Sequence, residues 1–545
     1  MKRLTTLAST PCYSRRAVLI GTAAAPFGVR AGESNLRAVI KMNGETFSFE
    51  ASQADDLGAF TSPAGFIQSC GRATHPRIPL TVFFRPDEAT DRVEVVFELG
   101  RLWSGRPQNL GAYGVEILRG QERLASIEVP RHFWFSRWRW QSAARPVTAK
   151  IASLQLDGLI PPLDRSVADF SARKLDPGKA ERYQIMGLAG LMPNMSATGE
   201  RPDIGLVTEH QARFLCTQAA DALSTLRAQA EAAGTIPWHQ RDERTNAPVD
   251  LDLHAEMSWY GGRNVGKPQI AVTETGIGID SAHQPALAYV PYLLTGDPYH
   301  LEDLQFAANF NRGSLPPPYR LSIPQPRAFA WSVRTLAQAA TVTPERVPQW
   351  LLPAAYFRRD LERTRAWFEK EYVDNQDPLR RIFRATDNLS DARDEGDRAP
   401  GGTWVSPWQH EFIGAVFGWL VLMGFESWRK AFMWQLGGTL ARTSGLSGWS
   451  RSYPSPYRLL VKSDKSASTA VSWHEAWRLT SARANWQESN DFADGDPMSG
   501  IFARGALVLG VRLGVKEAEE PLQWLTAQLR RRQAVVPYKW RLTAA

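Results

Sequence analysis

Leu294-Thr295-Gly296-Asp297-Pro298-Tyr299 separates two stretches of helical character, Gln284 to Thr295 and His300 to Asn311, joined only by Gly296-Asp297-Pro298. Glycine and proline punctuate a chain at such points. A connection this short makes the two helices antiparallel neighbours. The pairing recurs from about residue 206 onward. Thr208 to Asp221 pairs with Ala222 to Ala233, ended by Gly234; Arg327 to Ala340 pairs with Ala354 to Tyr372; Gln409 to Gly424 pairs with Ser427 to Arg442. Ser472 to Thr480, Met498 to Gly514 and Lys516 to Arg531 complete the helices. Long loops at 235–282, 312–326, 373–407 and 443–470 lie between them, and long ordered loops in a compact domain are often functional. No strict period of the solenoid kind appears. Helical hairpins with irregular loops predict an α/α toroid over residues 206–535, its loops roofing a central cavity at one end.

Ahead of the helices, residues 36–160 read as strands. Val93 to Leu99, Gly114 to Leu118 and Ala125 to Val129 alternate at period two, with polar turns such as Asn43-Gly44 and Arg119-Gly120-Gln121-Glu122 between strand-like runs. Short strands so punctuated predict an antiparallel β-sandwich. In Phe133 to Trp140, alternation puts Trp134, Trp138 and Trp140 on one face and Phe133, Phe135, Arg137 and Arg139 on the other; packing against the next domain is the expected use of this strand. Residues 161–205, with Pro161-Pro162, Pro177-Gly178 and Pro193, read as a linker or wrapping segment. The fold class is therefore mainly α with an added β domain.

The first 31 residues have the order of parts of a secretory leader. Lys2 and Arg3 open it, Ser14-Arg15-Arg16-Ala17-Val18-Leu19 follows, and Val29-Arg30-Ala31 offers a cleavage site after Ala31. The Ser-Arg-Arg-x-apolar-Leu order resembles the twin-arginine export motif, a receptor-read address rather than an anchor. Periplasmic or secreted localisation is expected. The formal net charge is +8, of which Lys2, Arg3, Arg15, Arg16 and Arg30 of the leader supply five, so no concentrated basic face argues for nucleic acid. The most apolar run, Phe412 to Phe425, is too short to span a bilayer, and stable membrane insertion is not expected. Of the three cysteines, Cys12 belongs to the leader, leaving Cys70 and Cys216, whose pairing is open. No Cys/His cluster or carboxylate spacing suggests a metal, and no phosphate loop or dinucleotide fingerprint suggests a cofactor. The 20 tryptophans suit both a large helical core and the apolar faces of sugar rings.

Residues 186–420 resemble bacterial six-hairpin, carbohydrate-active proteins. The resemblance rests on Thr198 to Gly205, Ala233 to Glu243, Ala282 to Tyr289 with Leu294 to Tyr299, and Arg327-Ala328-Phe329-Ala330-Trp331. It implies a toroid of the kind found in glycoside hydrolases and polysaccharide lyases. A sandwich ahead of the toroid is similar to the order in several hydrolases and phosphorylases, whereas many toroid lyases carry it behind. That analogy tilts the expectation toward hydrolysis.

Four stretches carry the candidate chemistry. Glu200-Arg201-Pro202-Asp203 precedes the first helix; Asp203 or Glu200 serves as an acid, or Asp203 as a cap, and Arg201 either grips an anionic sugar or pairs with a neighbour. Trp238-His239-Gln240-Arg241-Asp242-Glu243 heads the longest loop and combines an aromatic platform, a proton-transfer group, a carboxylate clamp and two acids; a solvated charged loop is the plain alternative. His283-Gln284 opens a helix that runs on through Tyr289, where a helix-start histidine is either structural or a proton shuttle. Trp408-Gln409-His410-Glu411 begins the fourth hairpin. In a toroid alternate helix starts face one end, so the clusters at 239, 283 and 408 are expected to converge on a glycan substrate.

Two mechanisms fit these residues. Hydrolysis places two carboxylates across the scissile bond, with Asp242 the first choice for the acid and Asp203, Glu243 and Glu411 the other candidates. Elimination from a uronic acid needs a base, His239, His283 or Tyr289, and Arg201 or Arg241 to neutralise the carboxylate. Trp238, Gln284, Trp408 and His410 complete the expected contacts. A glycan-binding or envelope-assembly protein without catalysis is the rival reading.

Overall fold

A computed structural model describes residues 35–100, 108–166, 182–192, 201–255, 257, 282–314, 321–323, 325–384, 390–391, 403–463, 467–489, 491–493 and 497–545. The expected leader and Glu200 lie outside them. Nine strands come first: β1 (Leu36–Met42), β2 (Glu45–Glu50), β3 (Asp55–Thr61), β4 (Ile67–His75), β5 (Ile78–Pro86), β6 (Val93–Leu99), β7 (Tyr113–Arg119), β8 (Glu122–Val129) and β9 (Ser136–Gln141). They form two antiparallel sheets in the orders β2-β1-β7-β8 and β3-β4-β5-β6-β9, a sandwich-like pair. Asn43 and Gly44 have φ of 52° and 78° and join β1 to β2, with Met42 opposite Glu45. Positive φ at both central positions is what a tight hairpin matched to strand twist requires.

The inner faces of both sheets bury Ile40, Val82, Phe84, Val95 and Val115, and Phe97 stacks on Trp138 with centroids 4.2 Å apart. A short polar chain is sunk in this core. Trp138 Nε1 donates to the Tyr113 hydroxyl (3.0 Å), which meets His132 Nδ1 (2.8 Å), while His132 Nε2 meets the Ser136 carbonyl oxygen (3.1 Å). A carbonyl only accepts, so Nε2 carries the proton and Nδ1 accepts from Tyr113: the ring is the neutral tautomer. Burial, against the opposing Ser136 hydrogen bond, pulls the His132 imidazole down to about 3. A histidine depressed in the fold but protonated near 6.5 when unfolded contributes stability above about pH 6.5 and loses it as pH falls toward 3. At pH 5 the expected cost is about 2 kcal/mol relative to pH 7. Urea unfolding at the two pH values should show this loss, and a His132→Gln variant should lack that part of it.

Thirteen α-helices follow among the described residues: α1 (Ile151–Leu156), α2 (Glu209–Thr217), α3 (Ala220–Ala232), α4 (Tyr289–Thr295), α5 (Pro298–Gly313), α6 (Pro326–Val342), α7 (Ala354–Phe368), α8 (Pro378–Phe383), α9 (Pro407–Leu422), α10 (Arg429–Thr443), α11 (Trp473–Ala484), α12 (Pro497–Arg512) and α13 (Glu519–Arg531). Most lie within a few residues of the sequence reading. The joint that opened that reading is as expected: Gly296 ends α4 at φ 65°, and the Asp297 side chain accepts from the Tyr299 amide (3.2 Å) to cap α5 over Pro298. The start of α4 differs. His283 and Gln284 do not open a helix, which begins at Tyr289. Gln211 of α2 donates to the carbonyls of Ala286 (2.7 Å) and Leu287 (3.1 Å), holding this segment irregular.

Two of the regions expected to be loops contribute a small sheet, β10 (Ser390–Asp391), β11 (Thr403–Val405) and β12 (Leu459–Lys462). The main apolar core runs from the outer face of the five-stranded sheet (Phe60, Phe83, Val96) into the helices, so that sheet is covered on both sides. Every residue of β6 is buried, its two glutamates included. Residues 186–191, in the expected linker, wrap onto the sandwich core through Met186, Ala189 and Leu191. Cys70 and Cys216 are buried and free, and among the described residues no helix is long and apolar enough to cross a membrane.

Candidate functional site

Alternation holds along β9 and decides where one group of candidate residues goes; before it, where Phe135 has φ 58°, Phe133 and Phe135 enter the sandwich core with Trp134 and Trp138 instead of facing away from them. Trp138 points into the sandwich, so Arg137 and Arg139 emerge on the opposite face, toward the helices. Arg85 of β5 and Glu94 and Glu98 of β6 share that face, and α5 meets them with Asp297, Glu302 and Asp303. Arg85 donates to both oxygens of Glu302 (3.1 and 2.9 Å) and to Glu94 (3.3 Å). Arg137 bonds Glu302 as well, and Asp303 at 3.1 Å. Arg139 reaches Glu94 (2.6 Å), Asp297 (2.8 Å) and Glu231 (3.0 Å). Tyr299 lies between the two strand arginines, each guanidinium 4.1 Å from its ring centroid.

The stretch Trp238 to Glu243 is built into this layer. Arg241 forks onto Glu98 (2.8 and 3.0 Å) and also bonds Glu302. His239 Nδ1 meets the Ile236 carbonyl (2.9 Å), and Nε2 lies 2.6 Å from Asp303. Trp238 is buried against Phe310, with centroids 5.7 Å apart. Asp242 is buried and closes a turn: it accepts from the Arg244 backbone amide (2.9 Å) and guanidinium (3.1 Å), with His254 at 3.2 Å. Glu243 is half-buried beside it, its carbonyl accepting from Arg72 (3.2 Å). The sequence reading expected an open platform here. The structure buries Trp238 to Asp242 as a joint, because Arg241 finds Glu98 on the sheet and Glu302 on α5, His239 finds Asp303 on α5, and Asp242 is held by Arg244 of its own loop.

A second group gathers where α2, α6 and α9 begin. The Arg201 guanidinium forks onto Asp203 (2.9 and 2.6 Å). Thr208 caps α2 in a reciprocal box with Gln211. From the C-terminal end, Lys539 Nζ donates to the carbonyls of Arg201 and Ile204, and the amides of Tyr538 (2.9 Å) and Lys539 (3.1 Å) donate to Glu209. Arg334 of α6 donates to the carbonyls of Gly205 and, at 3.1 Å, Gln284. These bonds bind the 201–209 turn, the irregular 283–288 segment and α6 to one another.

Between them sits His283. Burial, then the nearby guanidiniums of Arg327 and Arg201, pull its imidazole down to about 3. Arg327 stacks on Trp408 at 5.4 Å, and its amide donates to Gln409 (3.3 Å). Arg334 is fully buried and meets carbonyl and hydroxyl oxygens; burial alone lowers its guanidinium to about 9, and no ion pair to a carboxylate is formed among the described residues. Arg327, Trp331, Arg334 and Gln338 recur at spacings of four, three and four, so they line one face of α6. That polar stripe in a buried helix was visible in the sequence and assigns Arg327 and Arg334, neither of them given a role there.

Other candidates lie apart. The Tyr289 hydroxyl donates to the Leu159 carbonyl (2.7 Å) in the apolar core. The His410 carbonyl accepts from Gln435 (3.2 Å). Glu411 is buried, held by Arg442, Thr439 and Ser455. Burial raises its carboxyl group against the pull of Arg442. Of the three expected clusters, those at 283 and 408 meet through Arg327, joined by Arg201 and Asp203. The cluster at 239 borders this region, where Trp238 and Asp303 line a pocket with Pro285, Leu287, Thr335 and Gln338, while His239 and Arg241 turn to Asp303, Glu98 and Glu302. Among the described residues no group of acidic, histidine or cysteine side chains has the grouping a metal needs. Comparison with protein-family models, curated proteins and solved structures finds no match.

Proposed function

We propose that the chain is an exported enzyme that cleaves an acidic polysaccharide by elimination, at a site formed by Arg201, His283, Arg327 and Trp408. What supports the reading is a buried imidazole that burial and the charges of Arg327 and Arg201 keep unprotonated, with Arg327 stacked on the Trp408 indole. Elimination from a uronic acid removes the proton next to a carboxylate. Arg327 neutralises that carboxylate and makes the proton more acidic, Arg201 being already paired with Asp203, and an unprotonated histidine accepts it. A bound carboxylate offsets the positive charge around His283, raising its proton affinity when a base is needed. Arg334 adds buried positive charge that favours an anion. The buried Trp408 indole, covered by Arg327 and Tyr457, holds the Arg327 guanidinium in place.

This puts elimination ahead of hydrolysis, reversing the order drawn from domain arrangement. A hydrolase needs two carboxylates across the bond, and Asp203, Asp242 and Glu411 are each engaged by an arginine, Arg201, Arg244 and Arg442. Asp242→Asn should therefore keep most of the turnover. A closed α/α toroid is the architecture we infer for the helical region. Its support is the succession of contacts α6 to α9 to α12, with the C-terminal turn Tyr538–Trp540 touching both α12 and α2. The leader-like N-terminus supports export, where polymers too large to enter a cell are met.

The test is incubation of the purified chain with a panel of uronic-acid polysaccharides, read by product mass and ultraviolet absorbance. Elimination yields an unsaturated, absorbing end and fragments whose masses sum to the substrate. Fragments that gain water would replace elimination by hydrolysis. Retention of a polysaccharide without cleavage would leave a binding protein.

A further inference from the structure

The indole of Trp408 has a second neighbour, outside the site. Tyr457 stacks on it with centroids 5.5 Å apart and planes 12° from parallel. Tyr457 is 64 % exposed, an unusual position for a large aromatic ring in a chain that buries most of its others. The Arg458 guanidinium stands 5.7 Å from the Tyr457 ring centroid and 5.1 Å from that of Trp404. Ring contacts therefore run from Arg327, whose charge acts on His283, through Trp408 and Tyr457 to the half-buried Arg458. Tyr457 covers one side of the Trp408 ring and leaves its own remaining surface to solvent. The backbone of its segment is secured from below by other bonds: Arg442 Nε donates to the Pro454 carbonyl (3.0 Å), and the Ser455 hydroxyl donates to Glu411 (3.3 Å).

We propose that Tyr457, with Arg458 beside it, is a stacking subsite for a further sugar residue of the acidic chain whose cleavage site is at His283. The inference rests on the reading given under Proposed function. Its two parts match the two parts of the ligand. An aromatic face takes the apolar C–H face of a sugar ring, and the neighbouring guanidinium takes a carboxylate, as a charge-assisted hydrogen bond. A chain occupying both places spans from the buried histidine to the surface. It also gives Glu411 a use: with Arg442 it holds the segment that presents Tyr457.

The experiment measures retardation of the full chain in gels containing polygalacturonate, alginate or heparin. Tyr457→Ala is compared with Tyr457→Trp and His283→Gln. With whichever polysaccharide retards the wild type, Tyr457→Ala should bind about fivefold to tenfold more weakly. Tyr457→Trp should bind as the wild type does, and His283→Gln should stay retarded while failing to cleave. Because Tyr457 is exposed, the alanine variant should unfold at the wild-type temperature. Retention of Tyr457→Ala equal to that of the wild type overturns the subsite and leaves the cleavage site standing. Failure of the wild type to be retarded by any of the three, with no cleavage, overturns both.

Discussion

Replacing Glu302 with glutamine is expected to destabilise the protein by about 3–5 kcal/mol, the cost typical of breaking a buried ion pair from one side. Glu302 is fully buried, and its carboxylate accepts from Arg85, Arg137 and Arg241. An amide of the same shape keeps part of the hydrogen bonding but leaves three buried guanidiniums short of a negative charge. The three arginines come from β5, β9 and the loop after α3, and Glu302 from α5, so the loss falls on the joint between sheet and helices. The measurement is urea unfolding followed by tryptophan fluorescence; a change below about 1 kcal/mol would show that the layer does not bear on stability. The pH dependence has a fixed sign. Arg85, Arg241 and Arg137 hold Glu302 well below the usual carboxylate range against the effect of burial, and arginine pairing does the same for Asp297 and Asp303. A carboxylate depressed in the fold contributes stability above its unfolded value near 4, and that stability is lost as pH falls below it. Glu302→Gln should therefore be less stable than the wild type at pH 7, with the gap narrowing on acidification.

His283→Gln is expected to lower turnover of the acidic polysaccharide by about a hundredfold to ten-thousandfold, the range typical when a positioned general base is removed. Its effect on stability should run the other way in acid. The folded imidazole is held near 3 while the unfolded one protonates near 6.5, so the wild type loses stability as pH falls from about 6.5 toward 3. Glutamine does not titrate, and the variant should be the less acid-sensitive protein. This opposition separates a catalytic role from a structural one. A variant both inactive and unfolded at neutral pH would point to packing; one that is stable but inactive supports the base. Arg327→Met should weaken substrate binding as well, through loss of the guanidinium that meets the substrate carboxylate and that Trp408 holds in place.

Local chemistry was legible in the sequence to the extent that it depends on neighbours along the chain. Asn43-Gly44 forms a hairpin and Gly296-Asp297-Pro298 a helix joint because backbone conformation there follows from the residues themselves. The period-two alternation of Val93 to Leu99 identified a strand, but not that Glu94 and Glu98 would be buried beneath helices. Trp238 to Glu243 looked like a sugar site because its residue types are those of a sugar site. The same types make a buried ionic joint when Glu98, Glu302 and Asp303 arrive from distant parts of the chain.

What the sequence alone determined is therefore the order and kind of the elements: an antiparallel β region, then paired helices, with polar clusters at helix starts. Hydrophobic period and turn chemistry are properties of ten or so adjacent residues and survive without tertiary context. Only the tertiary structure decided which polar clusters meet. It brought the charges of Arg201 and Arg327 to bear on His283, laid Arg327 on Trp408, sent His239 to Asp303 of α5 and Arg241 to Glu98 of the sheet, and set Tyr457 on Trp408. The charge and proton affinity of a buried side chain depend on whatever packs against it, and for this chain those partners lie tens to hundreds of residues away.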